Sequence, residues 1–176
     1  MFLSEVCNII KTIKIINLNK NRKFKTITNS TEIAENSSIL VINSTKFKKQ
    51  FLTKSQEKNI PALITNKYIK EFHNTQFIVK NTNKESLKIL QSLFPFKPDK
   101  SVAITGTNGK TSVAWYLSQI CKQANLKTKM LGTLGFYKNH KKVKDTFLTT
   151  PAFEDLYQFS HSKNKSTYNF IFEASS

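Results

Sequence analysis

Seven consecutive residues, Thr105-Gly106-Thr107-Asn108-Gly109-Lys110-Thr111, bring two glycines, a lysine and three hydroxyls into one short stretch. Binding a phosphate needs backbone N–H groups turned toward the anion, a helix N-terminus behind them and a cation in front. Gly106 and Gly109 leave the backbone clear of Cβ atoms. Lys110 has the reach for β- and γ-phosphates, and Thr111 can offer its hydroxyl to Mg²⁺. Thr107, Asn108 and Ser112 complete the expected ATP-binding set. The long form of such loops, G-x-x-x-x-G-K-[ST], is not met, because Ile104 stands where its first glycine would be. The match is to the shorter G-x-x-G-K-T. The bland alternative is a glycine-rich turn with no ligand. The flanks favour the phosphate loop: an apolar Val102-Ala103-Ile104 precedes it and an amphipathic run follows it.

A second chemical residue stands far downstream. Tyr168 to Phe172 reads as a strand that delivers Glu173 at its C-terminal end. Ligands of open α/β sheets sit beyond the carboxyl ends of the strands, and a phosphate loop needs an acidic partner for its metal. Lys110 and Glu173 are therefore the catalytic candidates, Thr111 and Glu173 the metal-binding pair, and ATP and Mg²⁺ the expected cofactors.

The elements that must position these residues follow from the pattern around them. In the second half, the order is strand 102–104, glycine loop, helix from about Lys110 to Ala124, strand Lys127 to Leu131, a loop opened by Gly132 and Gly135, a helix through Phe153, Leu156 and Tyr157, and strand 168–172. This β-loop-α-β-α-β order is the doubly wound plan. The helix after the glycine loop is expected to bury Val113, Leu117, Ile120, Cys121 and Ala124. In the first half, Ile13 to Leu18, Ser38 to Asn43, Ala62 to Thr65 and Phe77 to Val79 read as strands. Phe51 to Lys58 reads as a short helix, and Lys84 to Phe94 as a helix with Leu87, Leu90 and Phe94 on its buried side. Phe94-Pro95-Phe96-Lys97-Pro98 cannot continue that helix. The fold class is thus α/β: a small N-terminal α/β domain over 1–95, followed over 96–176 by the start of a phosphate-loop, doubly wound central domain.

Composition narrows the function classes. Hydrophobic residues make up 39% of 176, with 14 Phe, enough for packed cores. The formal net charge is +17, from 28 basic and 11 acidic residues, which opens the possibility of a polyanion partner. Arg22 is the only arginine, however, and Lys and Asn recur throughout, as in a compositionally biased chain. Base readers lean on Arg and no nucleic-acid motif accompanies the charge, so no nucleic-acid partner is expected. Cys7 and Cys121 form no C-x-x-C pattern, and His73, His140 and His161 have no metal-ligand spacing. No run reaches the roughly 20 apolar residues of a membrane span, and the N-terminus lacks a signal-peptide pattern. A cytoplasmic protein is expected.

Three motifs together resemble the Mur ligases. The first is the loop at 105–111. The second is Leu131-Gly132-Thr133-Leu134-Gly135 followed by Leu148-Thr149-Thr150-Pro151. The third is Phe172-Glu173-Ala174-Ser175-Ser176. The loop alone is shared by all Mur ligases and by folylpolyglutamate synthases. The later two motifs favour the type that adds the third residue of the peptidoglycan stem peptide, the MurE type. Asn29-Ser30-Thr31 falls where that family tends to have Asp-Ser-Arg, so Ser30 alone carries over.

The resemblance implies an ATP-dependent amide-bond ligase of peptidoglycan synthesis. ATP would phosphorylate a carboxylate of UDP-N-acetylmuramoyl-L-alanyl-D-glutamate, and the amine of meso-diaminopimelate or lysine would attack the acyl phosphate. Ser30, Thr149, Thr150 and Ser175 would contact the muramoyl substrate. Family members continue well past the position of Ser176. The resemblance therefore implies a first domain plus the opening of a central one, not competent alone. Another Mur-type ligase, a folylpolyglutamate synthase, and a non-catalytic ATP- or polyanion-binding module are the rival readings.

Overall fold

A computed structural model describes residues 1–42, 53, 57–146 and 151–175. The chain divides into two units, Met1–Leu93 and Phe94–Ser176.

In the first unit the apolar runs without polar alternation become strands covered on both faces, as parallel strands usually are. Its elements are α1 (Leu3–Ile9), β1 (Thr12–Ile16), β2 (Thr26–Thr28), β3 (Ser38–Ile42), β4 (Ala62–Thr65), β5 (Thr75–Val79) and α2 (Thr82–Leu93). The sheet order is β1-β5-β4-β3-β2. β2 to β5 are parallel, and β1 closes one edge antiparallel to β5. Every residue of β3, β4 and β5 is buried. Ala34, Leu40, Ile42, Ile60, Leu63, Ile69 and Phe72 form a core cluster.

One polar side chain inside this sheet is fully satisfied. Gln76 is buried in β5. Its Nε2 donates to the carbonyls of Ile69 and Phe72 at 2.9 Å each, and its Oε1 accepts from the Ile69 N–H at 3.0 Å. A buried amide with matched partners fixes the loop before β5 onto the strand.

One expectation shifts here. The buried residues of α2 are Thr82, Glu85, Ser86, Ile89 and Leu90, so Leu87 lies at the margin of the packed face. Glu85 is drawn inward because its carboxylate accepts from the Lys11 N–H at 2.9 Å and from Lys88 Nζ at 2.7 Å. The N-terminal stretch is helical, with Leu3 and Val6 buried. Most of the helix read over Phe51 to Lys58 lies outside the described residues.

The second unit runs β6 (Lys100–Ile104), α3 (Lys110–Gln123), β7 (Thr128–Gly132), β8 (Gly135–Lys138), β9 (Lys141–Lys144), α4 (Phe153–Ser160) and β10 (Asn169–Glu173). The sheet order is β6-β10-β7-β8-β9. β6, β10 and β7 are parallel, while β8 and β9 fold back as antiparallel hairpins. The sheet is mixed, and the simple β-α-β-α-β order is corrected by the inserted hairpins. The loop expected at Gly132–Gly135 is a two-residue hairpin turn in which Gly132 faces Gly135. Gly135 sits at φ +120°, which only glycine adopts freely.

The buried face of α3 also differs from the expected stripe. Ala114 and Ser118 are buried, and Trp115, Leu117 and Cys121 pack on Met130 and Ile171. Val113, Tyr116 and Ile120 are 52%, 67% and 60% exposed. The helix is apolar on more than one side, and only the side facing β6, β7 and β10 meets the sheet.

Candidate functional site

The strand order decides where the chemistry collects. β10, last in sequence, lies between β6 and β7, pairing Glu173 with Ile104 and Phe172 with Leu131. The Ala174 N–H donates to the Ile104 carbonyl at 2.9 Å. Glu173 therefore ends its strand beside the start of the glycine loop and beside the β7–β8 turn.

The loop itself depends on glycine backbone geometry. Gly106 has φ +143° and Gly109, the N-cap of α3, has φ +79°. A Cβ at Gly109 would meet nothing within 4 Å, and one at Gly106 would meet only the Asn108 carbonyl at 3.7 Å. The requirement for glycine is thus conformational and not one of space. The loop leads into α3, whose first N–H groups are available to an anion. Thr107, Asn108 and Ser112 are exposed there. Lys110 folds back over the loop, its Nζ donating to the Gly106 carbonyl at 2.6 Å and lying 3.5 Å from that of Thr107.

Glu173 is 2% exposed. Three donors converge on its carboxylate: Thr111 Oγ1 to Oε2 at 3.0 Å, the Thr133 N–H to Oε1 at 3.0 Å, and Thr133 Oγ1 to Oε2 at 3.1 Å. Hydrogen bonds to a charged acceptor are the strong ones, so the carboxylate is fixed in direction. The fit is close. A Cβ built on Gly132 would stand 2.0 Å from Glu173 Oε1, 2.5 Å from Cδ and 2.8 Å from Cγ. Only glycine leaves room for this carboxylate. Thr146 Oγ1 donates to the Gly132 carbonyl and holds the same turn from the other side.

Thr111 and Glu173, from two separate motifs, thus meet behind the loop that carries Lys110. Their facing oxygens are 3.0 Å apart. Octahedral Mg²⁺ with metal–oxygen distances of about 2.1 Å needs neighbouring ligand oxygens about 3 Å apart, so the pair could hold that ion with phosphate oxygens and water. Among the described residues no group of three His, Cys, Asp or Glu could hold a metal. A phosphate-bound Mg²⁺ does not require one, since it takes one or two carboxylates and keeps its waters.

The remaining candidates are dispersed. Ser30 is partly buried in the first unit, just beyond β2, where its N–H donates to Thr28 Oγ1 at 3.1 Å. Ser175 is exposed two residues past Glu173. Thr149 and Thr150 lie outside the described residues. The sequence assigns Thr133 no role at the site and reads Gly132 only as opening a loop. Their signal was the Gly-Thr pair of the second motif, but nothing in spacing alone says that a turn will meet a carboxylate 40 positions away.

Residues 104–176 match the model of the Mur ligase middle domain. The chain is 32% identical over 142 residues to a UDP-N-acetylmuramoyl-L-alanyl-D-glutamate–2,6-diaminopimelate ligase of Helicobacter hepaticus, covering 79% of this chain and 30% of that relative. Among solved structures it is similar to another ligase of that name, with a TM-score of 0.55 and 17% identity, over 99% of this chain and 36% of the other. It is also similar to the MurF ligase of Thermotoga maritima in complex with ADP, with a TM-score of 0.52 and 15% identity, over 86% of this chain and 32% of that one. The two structural likenesses are likenesses of fold. The chain spans about 30% of the length of the Helicobacter hepaticus relative. Among the described residues no helix is long and apolar enough to cross a membrane. The glycine loop of residues 105–111 falls within the matched segment, and residues 104–176 belong to the Mur ligase middle-domain family.

Proposed function

We propose that this chain belongs to an ATP-dependent ligase of peptidoglycan synthesis, one that joins a diamino acid to UDP-N-acetylmuramoyl-L-alanyl-D-glutamate through an acyl phosphate. The observation that carries this reading is the meeting of Thr111, Thr133 and Glu173 directly behind the phosphate loop. The relatives named for the diaminopimelate ligation support the substrate class. The ADP of the Thermotoga maritima neighbour supports nucleotide binding.

A carboxylate is a poor acyl donor until one oxygen becomes a phosphate leaving group, so the reaction is a positioning and charge problem. Residues 106–112 cradle the nucleotide phosphates with backbone N–H groups. Lys110 turns from the Gly106 carbonyl to the phosphates and offsets charge on the transferring group. Thr111 and Glu173 would hold Mg²⁺, which when bound would supply charge neutralisation, and Thr133 keeps the Glu173 carboxylate aimed. Ser30, Thr149, Thr150 and Ser175 contact the muramoyl substrate, a role that rests on family resemblance. The site works in the cytoplasm, an assignment that rests on the family resemblance.

The test has two parts. Calorimetric titration of MgADP should show binding that falls at least about tenfold in Lys110→Ala and in Glu173→Gln, about 1.4 kcal/mol or more. In a coupled ADP-release assay on the ligase of which this chain forms part, turnover should require both the muramoyl dipeptide and a diamino acid. Unchanged MgADP affinity in both variants would remove the site. ADP release that ignores the dipeptide would remove the substrate assignment.

A further inference from the structure

A second polar pocket lies at the opposite end of the sheet from the glycine loop. It has a volume of about 240 Å³, below the few hundred Å³ typical of drug-sized ligand sites. It opens at the start of β7, the end of β8 and the segment before β10. Lys127, Lys129 and Lys138 line it, with Asn139, Ser166 and Thr167 as further donors.

The charge arrangement is unusual. Lys129 and Lys138 are direct cross-strand partners in the β7–β8 register. Like charges placed opposite each other are destabilising. Lys129 is also only 7% exposed. Its ammonium is held by neutral groups: it donates to the His161 carbonyl at 2.6 Å and to Ser162 Oγ at 2.9 Å, and lies 4.4 Å from the centre of the Tyr168 ring. Such dipoles orient a cation without neutralising it. Among the described residues none of the three lysines has a carboxylate within 4.0 Å. Burial and the Lys138 charge pull the Lys129 pKa down to about 8. The remaining titratable neighbours include His161, Tyr168, Tyr157 stacked on His161 and, acting on Tyr168, Asp99.

We propose that this pocket is a second binding site, separate from the phosphate loop, and that it takes the phosphate or carboxylate group of a small molecule between Lys129 and Lys138. A bound oxyanion supplies the missing negative charge, relieves the lysine–lysine repulsion and accepts hydrogen bonds from the surrounding hydroxyls and amides. The pocket volume suits a phosphate or a small polycarboxylate.

Inorganic phosphate and, separately, citrate would be titrated calorimetrically into the parent chain, Lys110→Ala, Lys138→Gln and Lys129→Met. At least one anion should bind, and that binding should survive Lys110→Ala. Lys138→Gln, a change at an exposed position, should weaken it about tenfold. At pH 8 the parent should take up protons on binding, read from buffers of different ionisation enthalpy, and Lys129→Met should abolish the uptake. Which anion binds distinguishes phosphate from carboxylate ligands. Binding lost in Lys110→Ala but intact in Lys138→Gln would assign the anion to the glycine loop and overturn the proposal. Absence of heat with both anions at millimolar concentration would overturn it too.

Discussion

Gly132→Ala should dismantle the glutamate site without touching any group that reacts. The added Cβ would be placed 2.0 Å from Glu173 Oε1 and 2.8 Å from its Cγ. The carboxylate is 2% exposed and held on Thr111 and Thr133, so it has no free direction in which to retreat. Either the strands part or the carboxylate leaves its partners. Overpacking of this kind costs about 1–3 kcal/mol, and each lost hydrogen bond to a charged group adds about 1.5–3 kcal/mol. Restricting the unfolded chain returns only about 0.4–1 kcal/mol. The net expectation is a loss of about 2–4 kcal/mol. In a unit of this size about 1 kcal/mol corresponds to roughly 4–8 °C in Tm, which predicts a fall of roughly 10–25 °C.

The assay is a double-mutant cycle by thermal and urea unfolding, with Gly132→Ala, Glu173→Ala and the pair. If the clash is with Glu173, truncating that side chain removes the obstacle, and Gly132→Ala should then cost less than about 1 kcal/mol. The two residues touch, so the cycle should return a coupling energy well above the roughly 0.3–0.5 kcal/mol scatter of independent sites. MgADP affinity should fall in all three variants. A Gly132→Ala protein as stable as its parent, or strictly additive costs, would refute the argument from close packing.

Other expectations follow from the same contacts. Thr133→Ala keeps the backbone N–H bond to Glu173 and loses only the hydroxyl bond, so MgADP affinity should drop modestly while Tm moves by a few degrees; equal loss to Glu173→Gln would show that the hydroxyl alone aims the carboxylate. Gln76→Leu leaves the Ile69 and Phe72 backbone groups without their side-chain partner, and should destabilise the first unit by about 2–5 kcal/mol in urea unfolding. The Lys129 pKa of about 8 lies below its ordinary 10.5, so between those values the unfolded chain binds more protons than the folded one. Stability should therefore rise with pH from about 8. Burial raises the Tyr157 and Tyr168 pKa values above 10.0, which opposes the rise once tyrosines of the unfolded chain ionise. Lys129→Met should flatten the rise in a melting series from pH 7 to 10.

The parts of this protein that could be read from sequence are those set by local pattern. Ala62 to Thr65 is an apolar run buried along its whole length, and burial on both faces leaves it no other good conformation than a strand; Val102 to Ile104 is equally apolar and forms a strand by pairing with β10, although Val102 is 40% exposed. The glycine loop is legible for the same reason: positive φ at Gly106 and Gly109 is a local demand, met by residues adjacent in the chain. β8 buries Phe136 but is only four residues long, and β9 escapes local pattern because its stability is borrowed. Lys141–Lys144 is exposed throughout and becomes a strand by pairing with β8, not by burying a face. The α3 stripe failed differently: Val113, Leu117 and Ile120 fit a helical period, but period cannot say which of two apolar sides meets a sheet.

The site shows the same division more sharply. Lys110 and Thr111 announce themselves by spacing, and Glu173 by its place at a strand end. Gly132 looks in sequence like half of a turn pair with Gly135, and Gly135 does need its unusual φ. Gly132 is glycine for another reason, space for a carboxylate brought to it by the insertion of β10 between β6 and β7. That reason exists only once the strand order is known. Two glycines three residues apart thus answer to different physics, one to its own backbone and one to a residue 41 positions later. Substituting each separately should distinguish them: Gly135→Ala should disturb the hairpin and leave MgADP affinity near the parent's, whereas Gly132→Ala should lose both stability and nucleotide.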